Sequence, residues 1–583
     1  MKVLAQYPQD DEYDVIVVGA GGAGMTAALC AAISGARVLL IESTEYVGGT
    51  TAYSAGTTWI PCTSHTKAVG GDDCPERART YLQAVVGDES TGALRDAFLD
   101  AGPKAVAFLE AHSQVQFRAR PYHPDYQSEL EGATVRGRAL EPLPFDGRTL
   151  GRAFSLVRPP IPEFTVLGGM MVDKDDIGHL LKMTRSFRSL AHSIKIVGRH
   201  AVDRMGQPRG TRLVMGNALV GRLLGSLLDR KVSILVRARV EELHSDARGV
   251  SGVTVSQDGT RRRIAAKGGV VLASGGFNRH PTRRQTMLPD IKEEWCACAP
   301  GATGAAQDLA IKAGAQYGKG TTTSAFWAPV SLRKRADGST AVFPHFLMDR
   351  GKPGTLVVDR AGRRFVNEAI SYHRFGLAMQ SQKDRETVPA FLLTDAVGLR
   401  KYGLGMVRPG GKGLAPFLAD GYLIKGDDLA SLAERLNVDA RTLSETVAEM
   451  NANAANGMDP QFHRGETEYQ RFNGDASAGF KNPCLGTMGT APYYAVRLYP
   501  GDIGAATGLV TDEAGRVLGE GRTPIPGLYA CGNDMQSVMG GTYPGPGVTI
   551  GPALTFAYLA AKDAVGRIDE VAMTQPAPYA SAA

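Results

Sequence analysis

Asp14-Val-Ile-Val-Val-Gly-Ala-Gly-Gly-Ala-Gly-Met25, followed by Leu39-Leu-Ile-Glu42, is the stretch that decides the fold. Val15 to Val18 form a short apolar run closed by a turn, the pattern of a buried strand. Gly19, Gly21 and Gly24 spell a GxGxxG turn that opens a helix. Gly22 and Ala23 lie inside the turn, and Ala27, Ala28, Ala31 and Ala32 fall on the packing side. In such a unit the first glycine permits the tight turn and the second lets a pyrophosphate approach the backbone. The third lets helix and strand pack closely. The helix start offers N–H groups and a positive dipole end to phosphates. A second strand, Val38 to Ile41, ends at Glu42, eighteen residues beyond Gly24, with Ser43 beside it. A carboxylate there holds ribose hydroxyls. Strand, helix, second strand and acid together predict a dinucleotide site.

Gly48-Gly-Thr-Thr-Ala-Tyr-Ser-Ala-Gly56 follows directly. An NAD domain passes into another crossover at this point, whereas a flavin domain runs such a loop along the pyrophosphate and the isoalloxazine edge. Gly48, Gly49, Thr50, Thr51, Ala55 and Gly56 are the candidate contacts. The order GxGxxG, Glu42, GGTT resembles the fumarate reductase/succinate dehydrogenase flavoprotein superfamily, which implies FAD. It also implies an α/β fold in which a Rossmann-like FAD-binding domain is built from both ends of the chain around an inserted α+β substrate domain. The expected division is 1–285, 286–485 and 486–583. No histidine stands in the 46–56 loop, so the flavin is expected to be non-covalent. His65 lies after the loop and is read as coincidence.

A chain of 583 residues is too long for one core and predicts two or more domains. Hydrophobic content of 43% with 21% charged residues is ordinary for a globular protein. The net charge of +6 is too mild for a dedicated nucleic-acid binder and leaves room for an anionic cofactor or a membrane surface. Met1 to Tyr13 is polar and acidic and does not read as a signal peptide. The chain has no run of about 18 apolar residues, the length of a span. The seven cysteines are scattered, and only Cys296 and Cys298 are close. No metal spacing is completed, and a reducing cytoplasm is the expected setting.

Along the chain, residues 75 to 115 read as helical, with Gly102-Pro103 breaking the later part into separate helices. Residues 117 to 180 read as an irregular, ordered active-site wall that includes Pro121-Tyr-His-Pro-Asp-Tyr126. Lys182 to Arg212 carries eight Lys and Arg residues and one acid, Asp203, with apolar residues interleaved. That is either a solvated basic face or a contact for an anionic membrane. Leu213 to Leu228 reads as a helix, and Gly268 to Phe277 as a buried strand ending in small residues. Residues 428 to 455 read as two amphipathic helices and 456 to 482 as a polar, glycine-bearing linker. Gly527-Leu-Tyr-Ala-Cys-Gly-Asn-Asp534 is a strand ending in a polar turn. Thr542-Tyr-Pro-Gly-Pro-Gly-Val-Thr-Ile-Gly551 leads into a helix from Pro552.

Arg363-Arg-Phe-Val-Asn-Glu368 is similar to a segment of soluble fumarate reductases in which a catalytic arginine follows the glutamate by four positions. Tyr372 holds that place here, and the C-terminal His and Arg cluster is absent. A dicarboxylate needs cationic clamps, so fumarate is disfavoured. With Tyr372, Tyr543 and Gly547 in these contexts the chain resembles the 3-ketosteroid Δ1-dehydrogenases from about residue 12 to 565. The resemblance implies α,β-desaturation of a cyclic ketone. Tyr543 and the Gly547 N–H would polarise the carbonyl, Tyr372 would take the α-proton with help from Tyr126 or Tyr122, and the β-hydrogen would leave as hydride to flavin N5. It further implies cofactor contacts at Val240, Ala273, Ser274, Gly275, Gly532, Asn533, Asp534, Val548, Thr549 and Ile550. A 3-ketosteroid and an external electron acceptor are the expected partners, with no nucleic acid and a peripheral membrane contact. Desaturation of a smaller alicyclic ketone, or at another steroid ring position, stays open. A fumarate reductase-like enzyme and a non-catalytic flavin protein are the remaining rivals.

Overall fold

Val15, Ile16 and Val17 are fully buried, and the strand that holds them, Glu12–Val18, lies inside an eight-stranded sheet. This computed structural model describes residues 10–320, 322–346, 349–381 and 386–574, with side chains described to 568. The expectation for the chain's first residues therefore lies outside the described part up to residue 9. Glu12–Val18 pairs in parallel with Val38–Ile41 on one side and Thr260–Leu272 on the other. Ser233–Leu235 extends the first edge, and the antiparallel strands Gly249–Gln257 and Ala238–Asp246 extend the second. Pro524–Ala530, from the far end of the chain, joins Thr260–Leu272 in parallel. Parallel strands buried on both faces need helices as cover. The helices Gly22–Ile33 and Ile550–Thr574 pack on this sheet and on each other.

The second sheet is antiparallel throughout. Its order is Thr340–Pro344, Ala325–Lys334, Tyr493–Ala505, Ala390–Asp395 and Thr355–Val358, with Ile424–Gly426 also paired to Tyr493–Ala505. The α/β flavoprotein fold is present, and the first sheet draws its strands from both ends of the chain.

Three local expectations are corrected. Gly92–His112 is a single helix with Pro103 inside it. Proline removes one backbone hydrogen bond, but Gly102 lets the helix lie against Ile60, where an added Cβ would come within 2.9 Å. Packing therefore holds the helix through the break. The segment 456–482 is no linker: Asp459, Arg464, Tyr469 and Asn482 are buried, and Glu468–Asn473 is a short helix. Half of the basic run of 182–212 is used internally. Arg209 is buried against Asn217 and the Val157 carbonyl, and Arg212 pairs with Asp176. Arg199 pairs with Asp146, and Arg204 donates to backbone carbonyls.

Arg464 explains why the supposed linker is buried. Glu368 accepts from Arg364 Nε at 2.9 Å and Nη2 at 2.7 Å, and from Arg464 at 3.0 Å; Arg364 also holds Asp459 at 2.8 Å. Burial pushes the Glu368 carboxyl up, but Arg364 and Arg464 outweigh it and hold it down at about 2. This ionic knot sits four residues before Tyr372 and anchors the helix Tyr372–Ser381. Glu368→Gln leaves two guanidiniums short of a partner and should destabilise the fold by about 3–5 kcal/mol in denaturant unfolding at neutral pH. The folded carboxyl titrates below its ordinary value of 4.5. Its contribution is therefore complete above that value and is lost as pH falls towards 2. The gap between wild type and variant should shrink over the same window.

Candidate active site and cofactor cradle

The glycine turn has the geometry its spacing requires. Gly19 has φ +104°, and a Cβ there would lie 2.3 Å from the Ala273 carbonyl oxygen. A Cβ on Gly24 would lie 1.8 Å from the Gly19 carbonyl oxygen, so helix and turn touch. Gly21 faces open space, with nothing within 4 Å of an added Cβ. This open backbone at a helix start fits a pyrophosphate. The Gly48 amide donates to the Ala20 carbonyl at 2.7 Å and sets the second loop against the first. The Thr51 hydroxyl takes the Gly22 amide at 3.3 Å, and the Thr50 hydroxyl takes the Ala299 amide at 3.0 Å. Glu42 is buried at the end of its strand; one oxygen accepts from the Ala20 amide and the other from Thr44. The oxygen that takes the Ala20 amide keeps a second lone-pair region for a ribose hydroxyl, while the other is already filled by the Thr44 amide and hydroxyl.

Ser43 and Ala55 are exposed, while Gly49 lies 3.2 Å from the Gly21 Cα by its added Cβ. Gly56, at φ +69°, packs on Met215 and Gly216. Val240 is half-buried in Ala238–Asp246 opposite Val255. Ala273, Ser274 and Gly275 end their strand beside the turn, and Gly275 meets only Ala302. Asp534 turns inward: it is fully buried and accepts from the Ser274 amide and hydroxyl and the Gly276 amide. It ties two strand ends together and has no exposed surface for a ligand. Gly532, Asn533, Val548 and Thr549 line one cavity with Phe326 and Ala553, and buried Ile550 begins the helix behind it.

Phe326, in the lining of that cavity, meets the Tyr543 ring edge-on at 5.3 Å, and there the phenols converge. Tyr126, Tyr372 and Tyr543 are each 4–7% exposed. The Tyr126 and Tyr372 hydroxyl oxygens are 3.0 Å apart, and either can donate to the other. The Tyr543 ring stacks on Tyr126 at 5.7 Å and meets Tyr372 edge-on at 5.2 Å. Tyr122 is not part of this group; it is 37% exposed and bonds to Glu468. His65 is also elsewhere, paired with Glu110. Burial raises the Tyr372 and Tyr126 phenols well above the ordinary range and raises Tyr543 too.

The turn that carries Tyr543 is gripped from several sides. The Pro544 carbonyl accepts from the Tyr126 amide at 2.9 Å and the Tyr81 hydroxyl at 2.6 Å. Gly545 lies on Trp59, where an added Cβ would be 2.4 Å from the indole nitrogen. Gly547, at φ +94°, would place a Cβ 2.1 Å from the Thr57 carbonyl. Its carbonyl takes the Trp59 and Ile550 amides, and its own N–H donates to no described residue.

Sequence reasoning missed the supporting residues. Trp59 donates to Asp125 at 2.7 Å, and Arg138 bridges Asp125 and Asp73, which pins the loop that holds Tyr126. His373 accepts from the Trp327 amide at Nδ1 and donates from Nε2 to the Gly541 carbonyl at 2.9 Å. Burial lowers it to about 4, so it is neutral and joins the Tyr372 helix to the Tyr543 turn. Arg350, 2% exposed, donates to the carbonyls of His345, Phe346, Glu368 and Ile370. Its charge favours the ionised phenol of Tyr126. The adjacency of His373 to Tyr372 is a usable signal; nothing local marks Arg350. Cys296 and Cys298 are buried beside Asp502, whose carboxylate is already held by Arg284 and Asn278.

Known proteins resemble this chain over nearly its full length. The family model described as FAD binding domain matches residues 14–550. The 3-oxosteroid 1-dehydrogenase of Mycolicibacterium smegmatis is 36% identical over 96% of this chain and 98% of its own. The 4-oxocyclohex-2-ene-1-carboxylate 5-dehydrogenase of Sinomonas cyclohexanicum is 38% identical over 94% of this chain and 93% of its own. Among solved structures, the 3-ketosteroid delta1-dehydrogenase of Sterolibacterium denitrificans in complex with 1,4-androstadiene-3,17-dione superposes with a TM-score of 0.88. It is 33% identical, covering 96% of this chain and 100% of that one. A match to the FAD-binding family model over most of the chain and identity of 33–36% to 3-ketosteroid dehydrogenases at nearly full length place the chain in the FAD-dependent flavoprotein family of the 3-ketosteroid Δ1-dehydrogenases.

Proposed function

We propose that this protein catalyses the 1,2-desaturation of 3-ketosteroids with FAD, held non-covalently, and an external electron acceptor. The observation that carries the reading is the meeting of Tyr126, Tyr372 and Tyr543 within one buried cluster beside the cavity at the start of Ile550–Thr574. A ketone's α-hydrogen is too weakly acidic to remove until its carbonyl is polarised. The Tyr543 hydroxyl and the Gly547 N–H form the donor pair for the developing enolate oxygen. Tyr372 takes the α-proton. Burial works against this by raising the phenol, and the Tyr126 hydroxyl, 3.0 Å away, offsets part of it by donating to the ionised oxygen. When bound, FAD supplies two-electron acceptance of the β-hydrogen as hydride.

Arg350 bears on the choice of ketone. Four of its N–H groups go to backbone carbonyls, so it has no bidentate face for a substrate carboxylate. This favours a neutral steroid ketone over a keto acid of the kind named for the Sinomonas relative. A steroid partitions into lipid, and peripheral membrane contact belongs to the same reading. Among the described residues no helix is long and apolar enough to cross a membrane.

Anaerobic mixing distinguishes the substrates. A 3-ketosteroid should bleach the flavin rapidly, and 4-oxocyclohexenecarboxylate should do so slowly; the reverse order transfers the reading to small alicyclic ketones. Acid precipitation should release all flavin into the supernatant, and Gly21→Val should empty the site by filling the open face of the turn. Tyr372→Phe should keep FAD and bind the steroid yet lose about 10²–10⁴-fold in flavin reduction. Tyr543→Phe should lose about 10²–10³-fold. Slow exchange of the α-hydrogen with solvent deuterium should survive in Tyr543→Phe and vanish in Tyr372→Phe. Near-normal flavin reduction by Tyr372→Phe overturns the base assignment.

A further inference from the structure

Cys296 and Cys298 stand one residue apart on backbone that is extended at Cys296 (φ −70°, ψ 122°). Extended chain sends residues i and i+2 to the same side, and both thiols are buried, at 1% and 2% exposure. Arg279 fixes the segment by donating from Nη2 to the Cys296 and Cys298 carbonyls at 3.1 and 2.9 Å. The third member comes from far along the chain. Asp502, in the strand Tyr493–Ala505, takes the Ala297 amide on its carbonyl at 2.9 Å. The two sulfurs and a carboxylate oxygen of Asp502 lie within 4.8 Å of one another.

The carboxylate has capacity left. Its Oδ2 accepts from Asn278 at 2.8 Å and from Arg284 at 3.0 Å, whereas Oδ1 accepts from Arg284 alone among the described residues, at 2.8 Å. Oδ1 therefore keeps a lone pair. Asn278 supplies a fourth donor atom. It is fully buried, gives its amide N–H to Asp502, and leaves its own Oδ1 without a hydrogen-bond partner among the described residues. An amide oxygen buried in that state has lost its water and gained nothing in return.

Two thiols and two oxygens are the donor set of a tetrahedral zinc ion, and sulfur ligands select against magnesium and calcium. The charges also close. Two thiolates match the divalent ion, Asp502 matches Arg284, and Arg279 has Glu293 at 3.5 Å. Zinc sits about 2.3 Å from each sulfur, so donors this close need only a small contraction. Binding displaces the two thiol protons to solvent, and at this depth the ion enters as the chain folds.

We propose that Cys296, Cys298, Asp502 and Asn278 hold a structural zinc ion. The ion ties the segment after the strand Thr260–Leu272 to the 296–298 segment and to the central strand of the second sheet. Ala299, next in the chain, donates its amide to the Thr50 hydroxyl of the cofactor loop at 3.0 Å. The clamp therefore steadies one wall of the FAD cradle, whichever ketone the flavin oxidises.

Holoenzyme expressed in zinc-supplemented minimal medium should retain one zinc per chain through exhaustive dialysis, read by elemental mass spectrometry. Protein grown with cobalt instead should show d–d bands of tetrahedral intensity at longer wavelength than the flavin absorbs. Cys296→Ala/Cys298→Ala should keep its far-ultraviolet circular dichroism, hold at least about tenfold less zinc and lose the cobalt bands. It should also release FAD at a lower temperature on heating. The cobalt spectrum of the unaltered chain decides the matter even where the double variant does not fold. Three results overturn the proposal. The first is holoenzyme with neither zinc nor cobalt bands, which leaves the pair as apolar packing with Ala302. The second is equal zinc in the double variant. The third is metal-free protein in which two of the seven thiols fail to titrate after denaturation, the mark of a disulfide.

Discussion

The Pro544 carbonyl accepts two hydrogen bonds, from the Tyr126 amide at 2.9 Å and the Tyr81 phenol at 2.6 Å, and the site depends on that junction. It joins a turn near the end of the chain to a loop and a helix from its first quarter. The junction forms only where the turn's backbone can approach closely, which is why Gly545 lies on the Trp59 indole and Gly547 against the Thr57 carbonyl. A side chain at either position would push the turn off the strand Thr58–Trp59 and carry Tyr543 away from Tyr126. The glycines thus set the position of a phenol.

The second constraint is electrostatic. Three phenols packed ring against ring exclude water, and exclusion of water raises the cost of ionising any of them. The fold answers with groups whose own protons are settled. His373 is kept neutral between the Trp327 amide and the Gly541 carbonyl, so it adds no charge beside Tyr372. Arg350 is charged, buried and fastened to four carbonyls, so its field reaches the phenols without its donors reaching a ligand. Glu368 is neutralised by Arg364 and Arg464 before its charge can oppose an ionised Tyr372. Each buried charge near the phenols therefore has a local partner, or a sign that favours ionisation.

The cofactor cradle was legible because its requirements are local. Gly19 must take a positive φ, Gly24 must touch the Gly19 carbonyl, and Gly21 must present bare backbone. A short spacing pattern encodes all three. The side chain of Asp534 shows the complementary case. An acid at the end of a strand near a nucleotide site reads as a ligand contact, yet here its partners are Ser274 and Gly276, some 260 residues away. The burial of 456–482 was hidden in the same way, since Arg464 and Asp459 look solvated until the partners Glu368 and Arg364 are placed beside them.

By itself the sequence determined the FAD turn, the Glu42 strand end, the TYPGPG turn and the place of Tyr372, because each depends on backbone geometry within a few residues. Tertiary structure alone decided which tyrosine meets Tyr372. Tyr122 and Tyr126 are four residues apart and chemically equivalent, and only the Asp125 contacts with Trp59 and Arg138 turn Tyr126 inward. It also decided which side of Phe187–Arg204 faces out. Helical spacing shows that a helix has two faces but not which one is covered. Here Asp203 and His200 find buried partners and Ile196 packs with Met170 and Val172, while Phe187, Ile194 and Val202 stay exposed.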